Sequence, residues 1–134
     1  MRDRRGFSIL DHMKADVPTI VAACAGSQTV MGVEGSQLIH GILALQPGGS
    51  LLTLQPPNRF VSGYKYHTDR DHQHFGFVVG HAEGKGYSVD PIEVERTLDQ
   101  FTKLPSLLSK WRIQSKQYLS LGDFHSHPFA ILST

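Results

Sequence analysis

The chain has 134 residues, 40% of them hydrophobic, and its 13 Lys and Arg against 12 Asp and Glu give a formal net charge of +1. Length and apolar content are those of one compact domain with its own core, and they exclude a disordered segment. The near-neutral balance lacks the basic stripe that nucleic-acid binding needs, and the single cysteine, Cys24, excludes an intrachain disulfide and suits a reducing compartment.

Arg2, Arg4 and Arg5 read as a solvated chain end, and residues 7–14 as a short strand or a short helix. Asp16-Val17-Pro18 is a helix start, with proline in the first turn where a missing N–H costs nothing. That helix runs through about Cys24 and stops near Gly26; Cys24 reads as a buried, inert thiol rather than a nucleophile. The apolar run Thr19–Ala25 is too short to span a bilayer and too far from the charged end for a secretion signal. The expectation is a soluble, cytoplasmic protein with no membrane partner.

A Gly/Ser-rich passage follows from Gly26 to Gly35. Leu38–Leu45 then reads as a strand, Pro47-Gly48-Gly49 as a turn, and Leu51–Leu54 as a second strand, so a hairpin is expected. Pro56-Pro57-Asn58 breaks that strand. The polar stretch Ser62–His74 reads as a loop, and Phe75–Val79 as a third strand. Gly84-Lys85-Gly86 turns the chain so that Tyr87–Val89 pairs back.

Asp90-Pro91 starts a helix, with Glu93 and Glu95 near its positive end and Ile92, Val94, Leu98, Phe101 and Leu108 on an apolar side. Pro105 divides the region and begins a second helix carrying Leu107, Leu108, Trp111 and Ile113. A strand, Tyr118–Leu121, closes the chain. Helices alternate with strands and hairpins, so the fold class is α/β: a single domain, 1–134, with a central mixed β-sheet flanked by helices.

The densest chemistry follows that last strand, in Gly122-Asp123-Phe124-His125-Ser126-His127-Pro128. On a strand, side chains alternate, so His125 and His127 share a face and both can reach one metal ion; Pro128 ends the strand. Asp123 has the same phase and is a further ligand or a partner orienting an imidazole. Upstream stands Glu34-Gly35-Ser36-Gln37-Leu38-Ile39-His40-Gly41, in which Glu34 is a candidate acid/base and His40 a core or supporting histidine. His67, Asp69, Asp71, His72 and His74 make the polar loop rich in possible ligands, and a metal-sensing or storage loop over His67–His81 is a further idea.

Together, Glu34–Gly41 and His125-Ser126-His127-Pro128 resemble the JAMM metalloprotease family (JAB or MPN+ domains). Gln37 stands where that family usually has glycine. The resemblance implies a JAB/MPN-like fold, a zinc ion held by His125 and His127, Glu34 as the general acid/base and Ser133 as the oxyanion-stabilising serine. It also implies zinc-dependent hydrolysis of a peptide or isopeptide bond at the C-terminal tail of a ubiquitin-like protein, the expected partner. Zinc lowers the pKa of bound water to about 7, supplying hydroxide at neutral pH.

The family's third ligand, an aspartate after the serine, has no counterpart before Thr134. Three expectations follow: a chain truncated before that aspartate, a third ligand from Asp123 or the polar loop, or a catalytically inactive MPN-like scaffold that binds protein.

Overall fold

A computed structural model of the chain describes residues 6–11 and 13–104. The described residues up to 101 pack as one compact unit. The elements of this unit are α1 (Val17–Cys24), β1 (Thr29–Val33), α2 (Leu38–Ala44), β2 (Ser50–Gln55), α3 (Gly63–Arg70), β3 (His74–Val79), β4 (His81–Glu83) and β5 (Gly86–Ser88). Helix α4 begins at residue 91 and continues through 104.

Strands β1, β2 and β3 form a sheet in that order, parallel throughout: Thr29 pairs with Ser50 and Ser50 with His74 at one end, Val33 with Leu54 and Leu54 with Val78 toward the other. A parallel pair cannot be closed by a tight turn and needs a crossover, supplied here by α2 and α3. The class is therefore α/β, as expected, but this sheet is parallel rather than mixed. Among the described residues the antiparallel pairing is confined to β4 and β5, joined by a turn at Gly84, whose φ is +56°.

Central strand β2 is covered on both faces, which is why it reads as an apolar run rather than an alternating one. Leu51 meets Leu38, Ile42 and Leu45, with Val30, Tyr64 and Phe75 packed against them. Leu52 meets Val78, Val94 and Leu98, with Phe7, Met31, Leu54, Val89 and Phe101 around them. The crossover helices thus lie on one face and α4 on the other. Helix α1 packs beside α2, burying Ile20.

Several local readings hold. Asp16 caps α1 by accepting from the Thr19 amide at 3.0 Å, and Pro18 sits in the first turn. Asp90 accepts from the Ile92 amide at 2.8 Å as α4 begins. Cys24 is half-buried rather than buried, and that partial burial still pushes its thiol up, away from a reactive thiolate. Phe75–Val79 is a strand, and Tyr87 pairs back onto Ala82.

Others are corrected. Leu38–Leu45 is helix α2, not a strand, and makes no hairpin with Leu51–Leu54. Its Leu38, Ile42 and Leu45 recur at helical spacing and enter one cluster. Ser62–His74 is not all loop, because Gly63–Arg70 forms α3. That helix buries Thr68 and packs the half-buried Tyr64, four residues before it, against the core, while Lys65 and Asp69 pair at 2.7 Å on its outside. The Gly/Ser-rich passage contains β1. The expected elements beyond Pro105 lie outside the described residues.

Gly41 sets the distance between α2 and β1: a Cβ there would lie 2.8 Å from Val30 Cγ1. Gly41→Ala adds about 1 kcal/mol of helix propensity, yet a stiff β-branched side chain blocks the methyl. Net destabilisation of about 1–2 kcal/mol is expected from overpacking, read from the denaturant midpoint. Adding Val30→Ala should recover part of the midpoint through the removed contact; a deficit equal to the sum of the two single changes would show that the two positions do not touch.

Candidate functional site

In an open parallel α/β sheet the loops at the carboxyl ends of the strands line the crevice where ligands bind. Here those loops are 34–37 after β1, 56–62 after β2, and the β4–β5 hairpin after β3. They bring together Glu34, Gln55, Arg59, Tyr64 and Tyr87.

Glu34 directly follows β1, where its amide donates to the Leu54 carbonyl at 3.0 Å. Its side chain is only 11% exposed, and its carboxylate accepts from the guanidinium of Arg59, itself 65% exposed. A buried carboxylate needs such a partner, because desolvation penalises an unpaired charge. Tyr64, in the first turn of α3, donates from its hydroxyl to the Gly35 carbonyl at 2.7 Å. Gln37 folds back over Gly35 and donates from Nε2 to the Val33 carbonyl at 3.2 Å. The end of the Gln37 side chain lies against Gly35, where a Cβ would meet its Oε1 at 2.3 Å.

Gln55 organises the second loop. Fully buried at the end of β2, its Nε2 donates to the Val61 carbonyl at 2.8 Å and to Thr53 Oγ1 at 3.0 Å. Its Oε1 accepts from the Val61 amide at 2.9 Å. One amide thus satisfies both backbone groups of Val61 and pins the loop that carries Arg59. Tyr87 donates to the Leu54 carbonyl at 3.0 Å, bringing the hairpin back over the edge. Gly80 permits that fold, since a Cβ there would meet the Tyr87 ring at 2.3 Å.

Burial raises the pKa of both tyrosines, and the Glu34 carboxylate raises it further. Both therefore hold the donated proton to a higher pH than a free tyrosine does.

Of the residues expected to carry chemistry, Glu34 is at this edge. His125, His127, Ser133 and Asp123 lie outside the described residues. His40 is on α2 rather than on a strand, and its Nδ1 is buried with no hydrogen-bond partner. His74 stands far from Glu34: it opens β3 at the amino end of the sheet, paired with Ser50, and a six-residue strand separates the two ends by about 17 Å. Asp69 is paired with Lys65 and Asp71 with Arg70, while the His67 ring stands edge-on to Tyr66. Among the described residues no group of three or more His, Cys, Asp or Glu could hold a metal ion, and no helix is long and apolar enough to cross a membrane.

Arg59, Tyr64, Tyr87 and Gln55 were not singled out from the sequence. A signal existed for the second loop, because a proline pair directly after an apolar strand marks a rigid turn-out of the sheet. No protein-family model, curated protein or solved structure matches the chain.

Because each tyrosine has a higher pKa folded than its ordinary value near 10, the unfolded chain loses its phenolic protons first as pH rises. The stabilisation is fully present below pH 10 and is lost as pH climbs through the folded values. Denaturation midpoints measured from pH 8 to 11.5 should therefore fall above pH 10, and Tyr64→Phe should flatten that fall while lowering stability by about 1 kcal/mol at pH 8.

Proposed function

We propose that the chain is an α/β ligand-binding domain that takes a phosphate-bearing small molecule at the carboxyl edge of its parallel sheet, with Arg59 as the anion contact. The observation that carries this reading is a βαβαβ unit, the arrangement used for mononucleotide binding, with an exposed guanidinium held at its carboxyl edge. A guanidinium matches phosphate geometry bidentately. Glu34 orients Arg59 while the edge is empty, and an incoming phosphate shares or replaces that carboxylate. Helix α3 starts at the same edge without a side-chain cap from Ser62, so its positive end adds to the field there.

Titration of the full chain with inorganic pyrophosphate and with ADP tests this. Binding should weaken as salt rises, and Arg59→Ala should lower affinity for both by at least about tenfold, the loss of one charge-assisted bond. Equal affinity in wild type and variant would refute the assignment.

A second reading is a zinc-dependent peptidase of the JAMM type on a JAB/MPN-like fold, acting on the tail of a ubiquitin-like protein. What favours it is the Gly122–Pro128 motif together with Glu34, whose carboxylate sits at a strand end where an acid/base can meet substrate. His125 and His127 would hold the ion, Ser133 would steady the oxyanion, and Arg59 would have to release Glu34 before it could take a proton. In a version extended past Thr134, dialysis against zinc should then leave about one ion per chain, lost in His125→Ala with His127→Ala, and Glu34→Gln should keep the ion while abolishing cleavage. An extended chain that retains zinc but cuts nothing fits the catalytically inactive scaffold instead, and an extended chain that retains none excludes the peptidase.

A further inference from the structure

Loop 56–62 does more than present a cation. Arg59 reaches to Glu34 at the end of β1, on one side of β2. The next residue, Phe60, reaches to the other side and packs edge-on against Phe77 of β3, with ring centroids 4.7 Å apart and planes at 69°. The two rings nevertheless remain 54% and 44% exposed, and Val79 beside them on β3 is 40% exposed. Three large apolar side chains left open at the carboxyl end of one strand are costly to solvate, and an edge-on ring pair leaves a face on which a flat ligand ring can lie.

Strand β1 is two strand spacings, about 10 Å, from β3. Loop 56–62 therefore offers an anion contact and an aromatic platform, on consecutive residues that point to opposite sides of β2. A ligand with a charged group at one end and a planar ring at the other fits that pair of contacts.

Resting on the reading of Arg59 as a phosphate contact, we infer that Phe60 and Phe77 form the seat for a nucleobase, so that the ligand is a nucleotide with its phosphates at Arg59 and its base stacked on Phe60. The platform has a π-face and no arranged donors, so it accepts purine and pyrimidine alike. Gln55 is a positioning residue for both contacts, since its amide holds Val61 directly beyond Phe60.

Calorimetric titration of the full chain with ADP, UDP and inorganic pyrophosphate tests the inference. Phe60 is largely exposed, so its replacement leaves the fold in place. Phe60→Leu, which keeps apolar bulk without a ring, should weaken ADP and UDP by roughly 5- to 100-fold, the value of one base stack, and leave pyrophosphate unchanged. Phe60→Trp should restore or tighten both nucleotides. Equal affinity of Phe60→Leu and wild type for the nucleotides, or an equal loss for nucleotides and pyrophosphate, would overturn the base seat while leaving Arg59 as an anion contact. Failure of the wild-type chain to bind pyrophosphate or either nucleotide would instead overturn the phosphate reading, and the base seat with it.

Discussion

Strand β2 has no solvent face, and the architecture of residues 1–101 follows from that. Leu51 and Leu52 are fully buried on opposite sides of one strand, so a layer of helix must lie on each side. Burying two leucine side chains contributes about 2–3 kcal/mol apiece, and each contribution needs the helix layer on its own side. The parallel pairing of β1 and β3 with β2 meets the same demand, because the crossovers it requires are the helices that cover one face, leaving α4 for the other.

The polar residues of β2 carry that burial into the site. Thr53 and Gln55 continue the face of Leu51 and are as fully buried as it is. A buried carboxamide costs least when its donor and acceptor are both used, and Gln55 directs them to Thr53 and Val61. The loop after the central strand is thus anchored by the core itself. A rigid anchor matters because a guanidinium on a wandering loop loses much of its value as an anion contact to the entropy of ordering it. Tyr64 and Tyr87 brace the neighbouring loops to backbone carbonyls, so the carboxyl edge is held from three directions.

Glu34 illustrates how a carboxylate changes meaning with its surroundings. Beside a zinc-bound water it would be an acid/base. Beside a guanidinium, nearly buried, it is half of an ion pair whose other half faces solvent. The pair leaves Arg59 oriented but accessible, which suits recognition of an anion; proton transfer by Glu34 requires the pair to open first.

What the residues declare locally was legible in the chain. Asp16 with Pro18 and Asp90 with Pro91 announce helix starts through capping chemistry that needs only neighbouring residues. Phe75–Val79 announces a strand by its β-branched and aromatic content, and Gly84 announces a turn. Three elements were hidden for particular reasons. Helix α2 has the apolar run of a buried strand, and its close approach to Val30 through Gly41 exists only once β1 lies beneath it. Helix α3 buries Thr68 and half-buries Tyr64, too little to rise above its polar surface. Strand β1 is short and interrupted by Gly32, whose missing Cβ makes room for Leu38.

At the site, the sequence drew attention to Glu34 alone. Only the tertiary structure could name Arg59, twenty-five positions away, and Tyr64 and Tyr87, because strand order and pairing direction determine which loops share an edge. By itself the sequence determined class, caps and turns, all of them set by interactions within a few residues. The folded chain decided that the sheet is parallel and which side chains meet at its carboxyl end, since those depend on contacts between segments that no local pattern encodes.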